Sequence, residues 1–302
     1  MQSRLSFHDE IRKNKVKSAA LIVVIVGIFA LFGWLLSAVL GQGTFFVIMS
    51  IAIVVSILYV VASYYNAEKI AIASVGAKPA SRAKHKKLFD VVENISIASG
   101  LPMPKLYVME SSQINAFASG RDPEHAVICV TTGALEKLDK RELEGVVAHE
   151  MAHIANYDVR FMTLAAVLVG LIAIAAEMFL RSLWFSSFGG ERREGRGGAA
   201  LFFIAILAAI LAPLLANLVS LAISRKREFA ADATGVKFTR YPVGLRNALI
   251  KIQREQLSPT EMRRYPRALA PLFISNPFKS KIRGLFSTHP PLEERIKRLE
   301  RM

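Results

Sequence analysis

Glu144-Gly145-Val146-Val147-Ala148-His149-Glu150-Met151-Ala152-His153-Ile154-Ala155 reads as the middle of a helix that hides ionisable groups among apolar ones. Asp139, with Glu142 three residues on, has the form of a capping box that opens it. Leu143, Val146, Val147 and Ile154 supply its apolar positions. Residues four apart on a helix lie on one face, one turn above each other, so His149 and His153 can offer two imidazole nitrogens to one ion. Glu150 falls about 100° further round, beside such an ion but off its coordination sphere, where a carboxylate can take a proton from water. Zinc fits this chemistry, because it accepts nitrogen and oxygen ligands and lowers the pKa of bound water to about 7.

Two histidines do not complete a catalytic zinc site, which has three protein ligands and an open position. A third histidine six residues after His153 is excluded, because that position is Val159. His8, His85, His125 and His289 stand alone. A glutamate on a second helix is the other solution. In Ser224-Arg225-Lys226-Arg227-Glu228-Phe229-Ala230-Ala231-Asp232 the two carboxylates are again four apart. Glu228 is the expected third ligand. Asp232 is the expected acceptor for an imidazole N–H, fixing that ligand's tautomer and orientation.

Working outward, the chain is 53% hydrophobic yet carries a net charge of +15. Much of that charge lies beside long apolar runs, which fits a membrane protein with basic flanks. It does not fit a nucleic-acid binder, whose basic residues interleave with aromatics on one face. Residues 19–40 and 45–65 are long enough to cross a bilayer core of about 30 Å. Arg4, Arg12, Lys13, Lys15 and Lys17 precede this pair; Lys69, Lys78, Arg82, Lys84, Lys86 and Lys87 follow it, and the turn between is uncharged. The positive-inside rule therefore puts the N-terminus and residues from 66 onward in the cytoplasm of a multi-pass protein of the cell membrane. No small-residue cleavage site follows the first run, which reads as an anchor. The basic flanks suit anionic lipid, and a solvated surface explains them equally.

The expected organisation is a basic segment 1–18, a hydrophobic hairpin 19–65, a first catalytic part 66–160, a second hairpin 161–223 and a second catalytic part 224–302. Within 66–160, residues 81–99 carry Leu88, Val91, Val92 and Ile95 at helical spacing, with Gly100 as the stop. Short strands follow at 105–109, 114–118 and 126–131, the last two joined by Gly120-Arg121-Asp122-Pro123. Helices are expected at 224–237 and after Pro291. The second hairpin holds Glu177, Arg181, Pro213 and Asn217, so it crosses, tilts or packs on the soluble part; its length favours crossing. The His pair precedes this hairpin and Glu228 follows it. An even number of crossings brings both to one side. Cys129 is the only cysteine and sits in a strand-like run, as a buried inert thiol.

The two motifs, the apolar hairpin between them and the leading hairpin resemble the M48 group of membrane metallopeptidases, its heat-shock proteases in particular, over nearly the whole chain. The resemblance implies an α-helical membrane protein with an α+β zincin-like (gluzincin) catalytic domain, about four hydrophobic spans and a small β-sheet bearing a substrate-binding edge strand. It implies one zinc ion on His149, His153 and Glu228, with Glu150 as catalytic base. The substrates it implies are unfolded or damaged polypeptides, membrane proteins among them, cleaved as endopeptidase substrates in quality control. Asn115-Ala116-Phe117-Ala118 matches the family's edge strand, which pairs with extended substrate by main-chain hydrogen bonds. Thr288-His289-Pro290-Pro291, with Arg295, matches a C-terminal block; His289 is compatible with approach to the oxyanion or zinc, and equally with capping the next helix. A prenylated-peptide protease of the same group needs a larger intramembrane chamber than four runs offer. A scaffold with a structural metal has no use for Glu150, and a transporter needs more polar residues in its spans.

Overall fold

The computed structural model describes residues 45–165, 225–256, 272–275 and 290–302, with scattered positions between 16 and 34. The chain divides into two compact units: Met1–Val16, Asn66–Thr163 and Ser220–Met302 in the first, Lys17–Tyr65 and Leu164–Val219 in the second. In the second unit the longest described helix is α1 (Phe45–Tyr65). Val47, Ile51, Val54, Ile57, Leu58 and Val61 are exposed along it, a contiguous apolar surface of the kind that marks contact with another apolar phase. Counted on described residues alone, no helix is long and apolar enough to cross a membrane. The expected runs at 161–185 and 199–223 lie almost wholly outside the described residues, and that at 19–40 largely so.

The first unit runs α2 (Ala67–Ser74), β1 (Lys78–Pro79), α3 (Lys86–Ser99), β2 (Lys105–Met109), β3 (Ala116–Gly120), β4 (Ala126–Thr131), α4 (Thr132–Lys137), α5 (Lys140–Ala155), α6 (Arg225–Thr239), α7 (Pro242–Gln256) and α8 (Leu292–Leu299). The sheet order is β1-β2-β4-β3. β2 and β4 are parallel, whereas β3 is antiparallel to β4 through a tight return whose 3-10 turn, Pro123–His125, is capped by Asp122. β3 thus lies at the sheet's edge.

Three elements differ at one end from the sequence pattern, the first two for a local reason. The α3 helix begins at Lys86, not 81, because Ser81 and His85 close a turn: the Ser81 N–H donates to His85 Nδ1 at 3.1 Å and the His85 N–H to Ser81 O at 2.8 Å. The strand expected at 114–118 begins at Ala116 and runs to Gly120. Asn115 holds the entrance instead, its Oδ1 accepting from the Ala116 N–H. The helix expected to end at 237 extends to Thr239.

α5 is the hub. Its capping box is present in both directions, with Asp139 Oδ1 accepting from the Glu142 N–H and Glu142 Oε2 from the Asp139 N–H, each at 2.8 Å. Such a cap is worth about 1 kcal/mol. From Glu142 to Ala155 only Glu144 escapes full burial, because α3, α6, α7 and β3 surround the helix. Leu88, Val91, Val92 and Ile95 of α3, and Leu245, Leu249 and Ile252 of α7, share one core with Val146, Val147, Met151 and Ile154. Each such side chain contributes about 1.5–3 kcal/mol on burial. Gly145 lets α7 come this close: a Cβ there would meet the Leu245 backbone nitrogen at 2.3 Å.

Candidate metal centre

A helix buried on all sides must satisfy every polar group it carries. α5 carries His149, Glu150 and His153, 0%, 1% and 4% exposed. The i, i+4 spacing turns both imidazoles the same way, and their Nε2 atoms are 3.2 Å apart. From α6, Glu228 presents one carboxylate oxygen to each imidazole: Oε2 lies 3.7 Å from His149 Nε2 and Oε1 3.7 Å from His153 Nε2. These three groups form a cluster able to hold a metal ion.

The donor set fits zinc. Two nitrogens bound at about 2.0–2.1 Å in tetrahedral geometry stand about 3.3 Å apart, close to the spacing observed. The far ring nitrogens are occupied. His149 Nδ1 lies 2.9 Å from Asp232 Oδ1 and His153 Nδ1 lies 3.0 Å from Asp158 Oδ2. Each carboxylate is an acceptor, so the ring hydrogen sits on Nδ1 and the Nε2 lone pair faces the centre, as a metal ligand requires. Three such donors would leave a fourth position open to water or substrate, the arrangement of catalytic zinc.

The charges are arranged to the same end. Burial, and then the Arg295 charge, lower His149 to about 4, against the pull of Asp232. Burial opposes protonation of His153 too, but its bond to Asp158 and the Glu228 charge raise it to about 9. Burial raises Glu150 to about 7, and the Glu228 charge adds to the rise; its bond from the Ala118 N–H does not cancel it. Its Oε1 has no hydrogen-bond partner among the described residues. A carboxylate near 7 with one free oxygen is tuned to exchange a proton at neutral pH.

Asp232 is held in turn by Arg295, wholly buried on α8, whose Nη2 and Nε reach its two oxygens at 2.6 and 2.9 Å. The same guanidinium approaches Glu228 Oε2 at 3.5 Å and donates to Ile274 O at 3.3 Å. Although burial opposes it, Arg295 and His149 keep Asp232 below the usual carboxylate range. Asp158 has a comparable partner, Arg227 Nε at 3.0 Å. Neither Asp158 nor Arg227 stands out in the sequence. Asp158 follows a helix end and a turn, and Arg227 is hidden in the basic run Arg225-Lys226-Arg227. His289 lies outside the described residues, while His85 and His125 make local bonds to Ser81 and Asp122.

Asn115, Ala116, Phe117 and Ala118 lie on or beside the edge strand, with the Ala118 N–H at Glu150. Their outer side is already engaged. Phe273 bridges Phe117 in antiparallel fashion, Ile274 N–H donates to Ala116 O at 2.9 Å, and Asn115 Nδ2 donates to Ser275 O at 2.9 Å. The rings of Phe117 and Phe273 meet edge to face with centroids 5.2 Å apart.

The model of peptidase family M48 matches residues 82–302, which hold every residue of this centre. The chain belongs to that family. It is 44% identical over 286 residues to a protease HtpX homolog of Caldanaerobacter subterraneus subsp. tengcongensis, covering 93% of this chain and 91% of that protein. A second such homolog, from Thermoanaerobacter pseudethanolicus, is 44% identical over 298 residues, with 97% and 95% covered. Among solved structures, Ste24p of S. mikatae shares the fold at a TM-score of 0.52 and 20% identity, over 95% of this chain and 66% of that one. The chain is thus a metalloprotease of the M48 family.

Proposed function

We propose that this enzyme is a cytoplasm-facing endopeptidase that cleaves unfolded or damaged polypeptides, membrane proteins among them, with its one zinc ion on His149, His153 and Glu228. The observation that carries the reading is the convergence of those three side chains beside Glu150, a buried carboxylate raised to about 7 with one oxygen free. A structural metal site has no need of such a base. A zinc ion held by His149, His153 and Glu228 would polarise the scissile carbonyl and lower the pKa of its bound water, so that water gives up a proton near neutral pH.

The protein's own groups do the rest. Asp232 and Asp158 hold the imidazoles by their Nδ1 hydrogens, and Arg295 fixes Asp232. The Ala118 N–H steadies one oxygen of Glu150. The other oxygen takes a proton from the attacking water as the new C–O bond forms, and delivers it to the amine nitrogen as the C–N bond breaks. Extended substrate pairs along the outer edge of β3, where main-chain hydrogen bonds tolerate many side chains. Residues 272–275, which engage Asn115 and Ala116 there, are released to admit it.

Membrane attachment through four spans is supported by the exposed apolar face of α1 and by basic residues on both flanks of the first hairpin. Glu150→Gln tests the catalytic assignment in purified full-length protein. It is expected to retain metal and to lose cleavage of an unfolded test protein; cleavage at the wild-type rate refutes the role of Glu150.

A further inference from the structure

Two histidines face the metal position, and each has a carboxylate and a guanidinium behind it. The pair behind His149 comes from α6 and α8. The pair behind His153 is less conspicuous and ties together two places far apart in the chain. Asp158 follows α5 after a turn in which Tyr157 takes φ 58°, a conformation that side-chain residues other than Asn and Asp seldom adopt. Arg227 lies in the first turn of α6, next to Glu228.

We propose that Asp158 and Arg227 act as a positioning pair that fixes His153 for metal binding and sets α6, with Glu228, against it. Asp158 divides its two oxygens: Oδ2 takes the His153 Nδ1 hydrogen at 3.0 Å, and Oδ1 takes Arg227 Nε at 3.0 Å. The Asp158 and Arg227 side chains are 1% and 4% exposed, so solvent does not screen them. The guanidinium is also held over the Phe161 ring, 5.0 Å from its centroid, which restricts the plane it can present. The turn at Tyr157 aims the carboxylate back at the ring it serves. His153 and Glu228 are donors from different helices, and this pair is a polar link that spans from the end of one to the start of the other. A carboxylate behind a ligand histidine fixes its tautomer and rotation, and losing one typically weakens metal binding by about 10–100-fold. The proposal rests on His153 and Glu228 being ligands.

The experiment is zinc affinity of the full-length protein in detergent, by competition with a chromophoric chelator, with the visible spectrum of the cobalt-loaded form as a readout of coordination. Asp158→Asn and Arg227→Gln are expected to weaken zinc by about 10–100-fold and to alter the cobalt bands. Arg227→Lys, which keeps the charge, should recover part of the affinity. The double variant should bind about as poorly as either single one, because both remove one linkage. Glu142→Gln serves as the structural control. It breaks the Lys251 Nζ–Glu142 Oε2 pair of 2.6 Å at the other end of α5, and should lower the melting temperature without moving zinc affinity or the cobalt spectrum. The proposal is overturned if Asp158→Asn and Arg227→Gln bind zinc with wild-type affinity and spectrum. It is equally overturned if they differ from wild type only in melting temperature, as the control does. Full zinc retention by His153→Ala would instead defeat the ligand assignment beneath it.

Discussion

Gly235 lies where α6 rests on α5, and replacing it with alanine separates what the helix prefers from what the site needs. An added Cβ would stand 3.1 Å from both the carbonyl carbon of Ala148 and the amide nitrogen of His149. Carbon contacts are comfortable at about 3.5–4.0 Å, so α6 has to retreat by roughly 0.4 Å. Glu228 and Asp232 travel with it. The Asp232–His149 bond of 2.9 Å then lengthens to about 3.3 Å, beyond the range of a good N–H···O bond. In an exposed helix Gly→Ala gains about 1 kcal/mol from propensity. Overpacking at a tight contact costs about 1–3 kcal/mol. The net effect on the metal-free fold is therefore a loss of about 0–2 kcal/mol. Metal affinity, which reads the displaced carboxylates, should fall by about tenfold. Thermal unfolding of the metal-free protein gives the first quantity and chelator competition the second. A Gly235→Ala protein that melts higher and binds zinc as wild type does would refute the reasoning, by showing that α6 is not held at its limit of approach.

Two further outcomes follow from residues outside the metal position. Cys129 is buried in β4, and burial pushes its thiol far above the usual range; native protein at pH 8 should leave it unmodified by a thiol reagent, with full reaction only after unfolding. The Ile274 amide donates to Ala116 O; hydrogen exchange there should be slow in free Glu150→Gln protein and rise when an extended peptide saturates it, whereas unchanged protection would show that substrate leaves this pairing in place.

The parts of the fold legible in the sequence are those fixed by local chemistry. Asp139 and Glu142 cap α5 as their spacing requires, and Gly100 closes α3 at φ 72°, in the left-handed region that suits glycine. The strands at 105–109 and 126–131 begin and end where their apolar runs do. Pairing is not local, so neither the parallel contact of β2 with β4 nor the two-residue β1 could be read. Nor does any pattern announce that Phe273 pairs with Phe117 across more than 150 residues. In the site, helical periodicity brings out His149, Glu150, His153, Glu228 and Asp232, because i, i+4 spacing is itself geometry. Asp158 and Arg227 escape that logic. One sits beyond a turn, the other within a run of like charges, and only the packing of α6 on α5 makes them partners.

The ligand set is the claim on which the rest depends, and metal content tests it most directly. Wild-type protein and the Glu228→Gln and Glu150→Gln variants would be purified side by side and analysed for zinc. The structure predicts about one equivalent in wild type and in Glu150→Gln, in keeping with three protein ligands per catalytic zinc, and a marked loss in Glu228→Gln. A Glu228→Gln protein that keeps its full equivalent, at wild-type affinity, would contradict the account at its centre.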